Sequence, residues 1–72
     1  MYGSIIERYR AYPQLLEWEL DTVYNAEDGL GYMRELMLPR LRRAVIENDP
    51  KMFSTWMPFA RRFAQKIGYG FD

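Results

Sequence analysis

Four prolines, at positions 13, 39, 50 and 58, divide a 72-residue chain in which every sustained apolar periodicity is helical. Proline lacks the N–H that a helix interior needs, yet its fixed φ suits the first helical turn. Each proline therefore marks either a helix start or a point of strain inside one. Asn48-Asp49-Pro50 is the sharpest such mark, with Asp49 placed to cap and Pro50 to open a helix. From Pro50 to Ile67, Met52, Phe53, Trp56, Met57, Phe59, Ala60, Phe63, Ala64 and Ile67 fall in a sector of about 160°. Lys51, Ser54, Thr55, Arg61, Arg62, Gln65 and Lys66 fill the rest. Pro58 falls on the polar side, where a kink would bend the helix around a core. Gly68 and Gly70 predict its end, followed by a mobile tail to Asp72.

The remaining helices follow from the same arithmetic. Ser4-Ile5-Ile6-Glu7 has the Ser-x-x-Glu form of a capping box, predicting a short helix over 5–11. Pro13 ends it and opens a second over 13–25. On that helix Leu16, Leu20, Val23 and Tyr24 share one arc while Leu15 and Trp18 lie on another, which allows two buried faces. Glycines at 29 and 31 and the acidic pair Glu27-Asp28 indicate a turn leading into a helix N-terminus. Leu30, Met33, Met37, Leu41 and Ala44 then form a single stripe, predicting a helix over 28–47 that Pro39 kinks or divides. No strand-like alternation competes. The expected fold is all-α: a small three-helix bundle with an additional short N-terminal helix, in one domain spanning 1–72.

Composition narrows the chemistry. There is no cysteine and no histidine, which removes disulfides, thiolate zinc sites and histidine-based catalysis. Without histidine, a nucleophile among Ser4, Thr22, Lys51, Ser54, Thr55 and Lys66 would need a carboxylate or lysine as its base. Ser4 reads better as a cap and Thr55 as a solvated helix position. No enzymatic activity, cofactor or metal is expected. The Glu27-Asp28 pair alone falls short of the six to eight oxygens of a calcium site.

Ten bases balance ten acids, but unevenly: residues 1–33 hold two bases against six acids, and residues 34–72 eight against four. The halves carry −4 and +4 and attract each other. Zero net charge gives no general pull toward nucleic acid or anionic lipid. No apolar run reaches the ~18 residues of a membrane span, and no leader pattern opens the chain. A soluble, unprocessed cytoplasmic protein is expected.

What the composition leaves is surface. Aromatics make up 17% of the chain, with five methionines besides, and a bundle of this size has difficulty hiding them all. Trp18, Val23, Tyr24, Leu30, Tyr32 and Leu36, around the second helix and the glycine turn, are the candidate partner-binding residues. The alternative is a phage-type helical inhibitor of a host protein, or a small DNA-binding regulator. The latter would use the basic surface of Arg40, Arg42 and Arg43 with Arg61, Arg62 and Lys66, across a junction that links two helices as a helix-turn-helix does.

From Gly29 to Met57 a spaced pattern stands out: Gly29, Tyr32, Pro39, Ala44-Val45, Glu47, Pro50 and Trp56, with Asp21-x-Val23 upstream. In these residues the sequence resembles the theta subunit family of bacterial DNA polymerase III, including its phage-encoded homologue. The intervals match without a gap from Gly29 onward, and Asp21-x-Val23 aligns if two residues are missing between. The resemblance covers roughly half the chain. It implies a three-helix protein that binds the proofreading exonuclease subunit, epsilon, and stabilises it without performing chemistry. The Ser4–Glu7 helix, the shorter stretch before Gly29 and Pro58 depart from the family pattern.

Overall fold

The computed structural model describes the backbone of residues 2–71 and the side chains of residues 3–71. It is all-α. Among the described residues four helices follow in order, α1 (Tyr2–Ala11), α2 (Pro13–Val23), α3 (Gly31–Ile46) and α4 (Pro50–Ile67), with a short 3-10 turn, Ala26–Asp28, between α2 and α3. The fold is a small helical bundle measuring 31 × 21 × 20 Å.

Its junctions are local chemistry. At the α1–α2 elbow the Tyr12 N–H still donates to the Arg8 carbonyl (3.0 Å), while the Tyr12 carbonyl already accepts from Leu15 (3.0 Å). A single extended residue, φ −131°, thus turns the chain, with Pro13 as the first residue of α2. At the α3–α4 corner Asn48 takes the left-handed conformation, φ 52°. Its N–H reaches the Val45 carbonyl (3.2 Å) and the Asp49 N–H reaches that of Ala44 (2.8 Å), the double bond that closes a helix C-terminus. The Asp49 carboxylate then accepts from the Met52 N–H at 3.1 Å, so one dipeptide ends α3 and caps α4. Gly68, φ 77°, repeats the device at the end of α4, with Tyr69 N–H on the Ala64 carbonyl at 2.9 Å.

Ile6 and Tyr9 of α1, Leu16, Leu20 and Val23 of α2, Met37, Leu38, Leu41, Ala44 and Val45 of α3, and Phe53, Met57, Ala60 and Ala64 of α4 form one buried core, joined by Tyr24. α3 and α4 make the most extensive pairing.

Several expectations need correction. α1 begins by Tyr2, so Ser4 sits inside its first turn and does not cap it. α2 stops at Val23 and buries one face only: Leu15 is half-buried and Trp18 is 62% exposed. α3 starts at Gly31, and Glu27 and Asp28 belong to the preceding 3-10 turn, which Asn25 caps by accepting from the Glu27 N–H (2.8 Å). Pro39 does not divide α3, nor Pro58 α4; both lie inside continuous helices. The core-facing residues on either side hold each helix together across the missing bond. Pro58 is half-buried rather than outermost. The tail folds back: Tyr69 and Phe71 pack against the core and edge-on to one another, 5.3 Å between ring centroids. Asp72 lies outside the described residues.

Candidate protein-binding surface

The six candidate residues separate by depth. Val23 and Tyr24 lie in the core, 2% and 3% exposed. They occupy the same arc as Leu16 and Leu20, and Tyr24 stacks on Phe63 of α4 at 5.4 Å between centroids. Neither side chain can reach a partner without unpacking the bundle, so the expectation that they form contacts gives way to a role in the core. Leu30 is half-buried against the core. Trp18, Tyr32 and Leu36 remain exposed.

Those three do not form one patch. Arg34 and Arg42 of α3 reach toward α2, where Arg34 meets Glu17 (2.9 Å) and Asp21 (2.5 Å), and Arg42 meets Glu17 (3.2 Å). Arg40 points to the opposite flank, over the ring of Trp56 on α4 at 5.0 Å. Leu36 is one helical turn before Arg40 and lies beside it, whereas Tyr32, half a turn of the wheel from the buried Leu41, faces solvent. Trp18 stands away from the core on α2. There it lines an open groove of about 560 Å³ at the α1–α2 elbow with Arg8, Tyr12, Pro13 and Leu15.

On the α3–α4 flank the central side chain is Arg40, next to Pro39. With no N–H to give, the proline interrupts the ladder of α3. The Arg40 guanidinium donates into the same turn, to the Leu36 carbonyl at 2.7 Å. That bond and the cation–π contact fix the guanidinium on Trp56, whose ring lies 6.2 Å from that of Phe59. Leu36, Arg40, Trp56 and Phe59 are thereby linked into one surface. Trp56 is half-buried, Leu36 39% exposed and Phe59 54% exposed. The α4 periodicity placed Phe59 in the core sector. It lies at the sector's edge, where no helix covers it.

The basic surface is less free than its residue types suggest. Arg42 is paired with Glu17, Arg43 with Glu47 at 2.7 Å, and Arg40 is held by Trp56. The side-chain bonds to Asp21 and Glu47 push the guanidiniums of Arg34 and Arg43 above their ordinary range. They are charged at every working pH in any case.

One feature was not anticipated from sequence. Glu19 is buried, 4% exposed, and its Oε1 accepts from the Tyr9 hydroxyl. Burial first, and then the bond to Glu19, drives the Tyr9 hydroxyl well above its usual titration range. Burial also raises Tyr24. The signal for Glu19 was present: it lies three residues after Leu16 and four before Val23, inside the buried arc. Among the described residues no group of three or more acidic side chains is arranged to hold a metal ion, and no helix is long and apolar enough to cross a membrane. No family model matches the sequence, and comparisons with curated proteins and with solved structures gave no match.

Proposed function

We propose that this chain is a non-catalytic docking subunit, theta-like in role, that binds an epsilon-type proofreading exonuclease of a bacterial DNA polymerase III through the α3–α4 flank. The observation that carries the docking reading is the apolar surface of Leu36 and Phe59, both exposed, beside the half-buried Trp56 that Arg40 covers. Tryptophan, arginine and other aromatics are the residue types that dominate binding energy at protein interfaces. The spaced pattern from Gly29 to Trp56 supports the choice of partner, and it includes Trp56 of this flank.

A standard interface takes roughly 800 Å² from each partner, about one sixth of this chain's 4851 Å². The ion pairing of Arg42 and Arg43 with Glu17 and Glu47 weighs against a duplex-binding role, because those charges are already partly neutralised.

The test is a titration of a purified epsilon-type exonuclease domain by calorimetry, with the wild-type chain and with Leu36→Ser/Phe59→Ser. The expected result is saturable binding, weakened at least about tenfold by the double substitution, while Trp18→Ala leaves it unchanged. No binding overturns the choice of partner. Binding that survives the double substitution and is lost in Trp18→Ala moves the interface to the α1–α2 elbow.

A further inference from the structure

On the side of Pro13 away from the elbow groove, α1, α2 and the end of α3 enclose a second cavity of about 360 Å³. Its depth and its rim differ in chemistry. The inner surface is Tyr9, Leu16 and Val45, each less than a tenth exposed. The rim carries Pro13 and Ile46, the latter 69% exposed, together with Arg10 and Arg42. Among the described residues no carboxylate lines it. Tyr9 forms part of the inner surface, but its hydroxyl is committed to Glu19. The polar groups left for a ligand are therefore cationic donors at the mouth.

We infer that this cavity is a binding site for an apolar carboxylate, with the apolar body against Leu16, Val45 and Ile46 and the carboxylate on Arg10 and Arg42. The size favours a single chain or ring, since about 360 Å³ lies near the lower end of the roughly 300–1,000 Å³ of small-molecule sites. Charge selects the head group. Arg10 makes no ion pair with any described residue, and Arg42 shares one contact at 3.2 Å with Glu17, leaving most of its five N–H donors available. Among the described residues the one carboxylate in contact with this pair, Glu17, is shared between Arg42 and Arg34. The planar guanidinium fork matches a carboxylate edge. Two sources share this chemistry: a free medium-chain fatty acid, and the C-terminal carboxylate of a peptide ending in an apolar residue. The site is separate from the α3–α4 flank and does not depend on the docking partner.

The experiment follows the methyl NMR signals of Leu16, Val45 and Ile46 during titration with decanoate below its micellar range. Decanol, decyltrimethylammonium, and a short Leu-terminated peptide as free acid and as amide are run beside it. Saturable shifts with decanoate, with the peptide acid, or with both support the site and identify the source. Arg10→Gln should weaken that binding about tenfold or more, and Arg8→Gln, on the other groove, should not. Arg10 is exposed and makes no ion pair with any described residue, so the substitution leaves the fold intact. Absence of saturable shifts with both anions overturns the inference. So does equal binding of decanol and decanoate, or an equal effect of the two arginine substitutions.

Discussion

The Tyr9 hydroxyl donates a 2.5 Å hydrogen bond to Glu19 across the α1–α2 contact, with both side chains enclosed by the bundle. α1 is short and turns into α2 through a single residue, so this bond fixes which face of α1 meets the core. Removing one partner of a buried pair strands the other, which costs about 1–3 kcal/mol, whereas replacing both by apolar groups can be nearly neutral. Tyr9→Phe is accordingly expected to lower stability by that amount in urea unfolding. Tyr9→Phe/Glu19→Leu should recover most of the loss. A double substitution as damaging as the sum of the singles would show that Glu19 does not depend on Tyr9.

The same bond sets an alkaline limit. In the folded chain the Tyr9 hydroxyl is held above its ordinary value near 10, chiefly by burial. The unfolded chain therefore loses this proton first, and above pH 10 it binds fewer protons than the native state. Stability contributed by the neutral hydroxyl is fully present below pH 10 and falls as pH rises beyond it, by about 1.4 kcal/mol per pH unit for one such group. Tyr24, raised by burial, acts in the same direction. Urea midpoints measured from pH 8 to 11 should fall above pH 10. The fall should be shallower in Tyr9→Phe.

Arg34 gathers three carboxylates, Glu17, Asp21 and Glu35, and ties α2 to α3. Each carboxylate is more than a third exposed at its side chain, so solvent screens the pairs and their worth is limited to about 1 kcal/mol or less. Arg34→Met is expected to cost no more than that at low salt, and less at 1 M salt. An effect that is larger and indifferent to salt would mean that the arginine stem packs as an apolar side chain.

Periodicity carried much of this architecture. Leu16, Leu20 and Val23, then Met37, Leu41 and Ala44, then Phe53, Met57, Ala60 and Ala64 all face inward as their spacing requires, because burial of one face is what holds a helix in a small bundle. The candidate surface was less legible. Spacing assigns a residue to a face, but neighbouring helices decide how far coverage extends around it. Tyr24 was closed off by Phe63, and Phe59 was left open. Glu19 could be placed in the buried arc by counting, while its donor lies ten residues earlier on another helix. Pro39 signals a break by its chemistry, yet Met37, Leu38 and Leu41 are buried on both sides of it, and that packing outweighs one lost hydrogen bond.

That balance can be measured. Pro39 is exposed and its ring contributes nothing to the core, whereas Pro58 is half-buried. A helix-interior proline is about 3 kcal/mol less favourable than alanine before tertiary effects. Pro39→Ala is expected to raise stability by about 1–3 kcal/mol, and Pro58→Ala to raise it less, since packing is lost with the ring. No gain in Pro39→Ala would show that the folded helix already accommodates the Glu35 carbonyl that Pro39 leaves without its donor, since the Arg40 guanidinium bonds the neighbouring Leu36 carbonyl instead.

The division of the candidate surface into core and exposed parts gives the last expectation. Val23→Ala and Tyr24→Ala remove buried side chains and should cost about 2 and 3 kcal/mol. Leu36→Ser and Phe59→Ser alter groups that solvent already reaches, and each should stay within about 0.5 kcal/mol of wild type or slightly above that for the half-covered Leu36. The exposed pair can then be tested for binding in a chain whose fold is intact, which the buried pair does not permit. If Phe59→Ser instead destabilised the chain as strongly as Tyr24→Ala, Phe59 would be holding the α3–α4 flank together. The surface would then have a structural reason to be apolar, and the docking proposal would lose the observation that carries it.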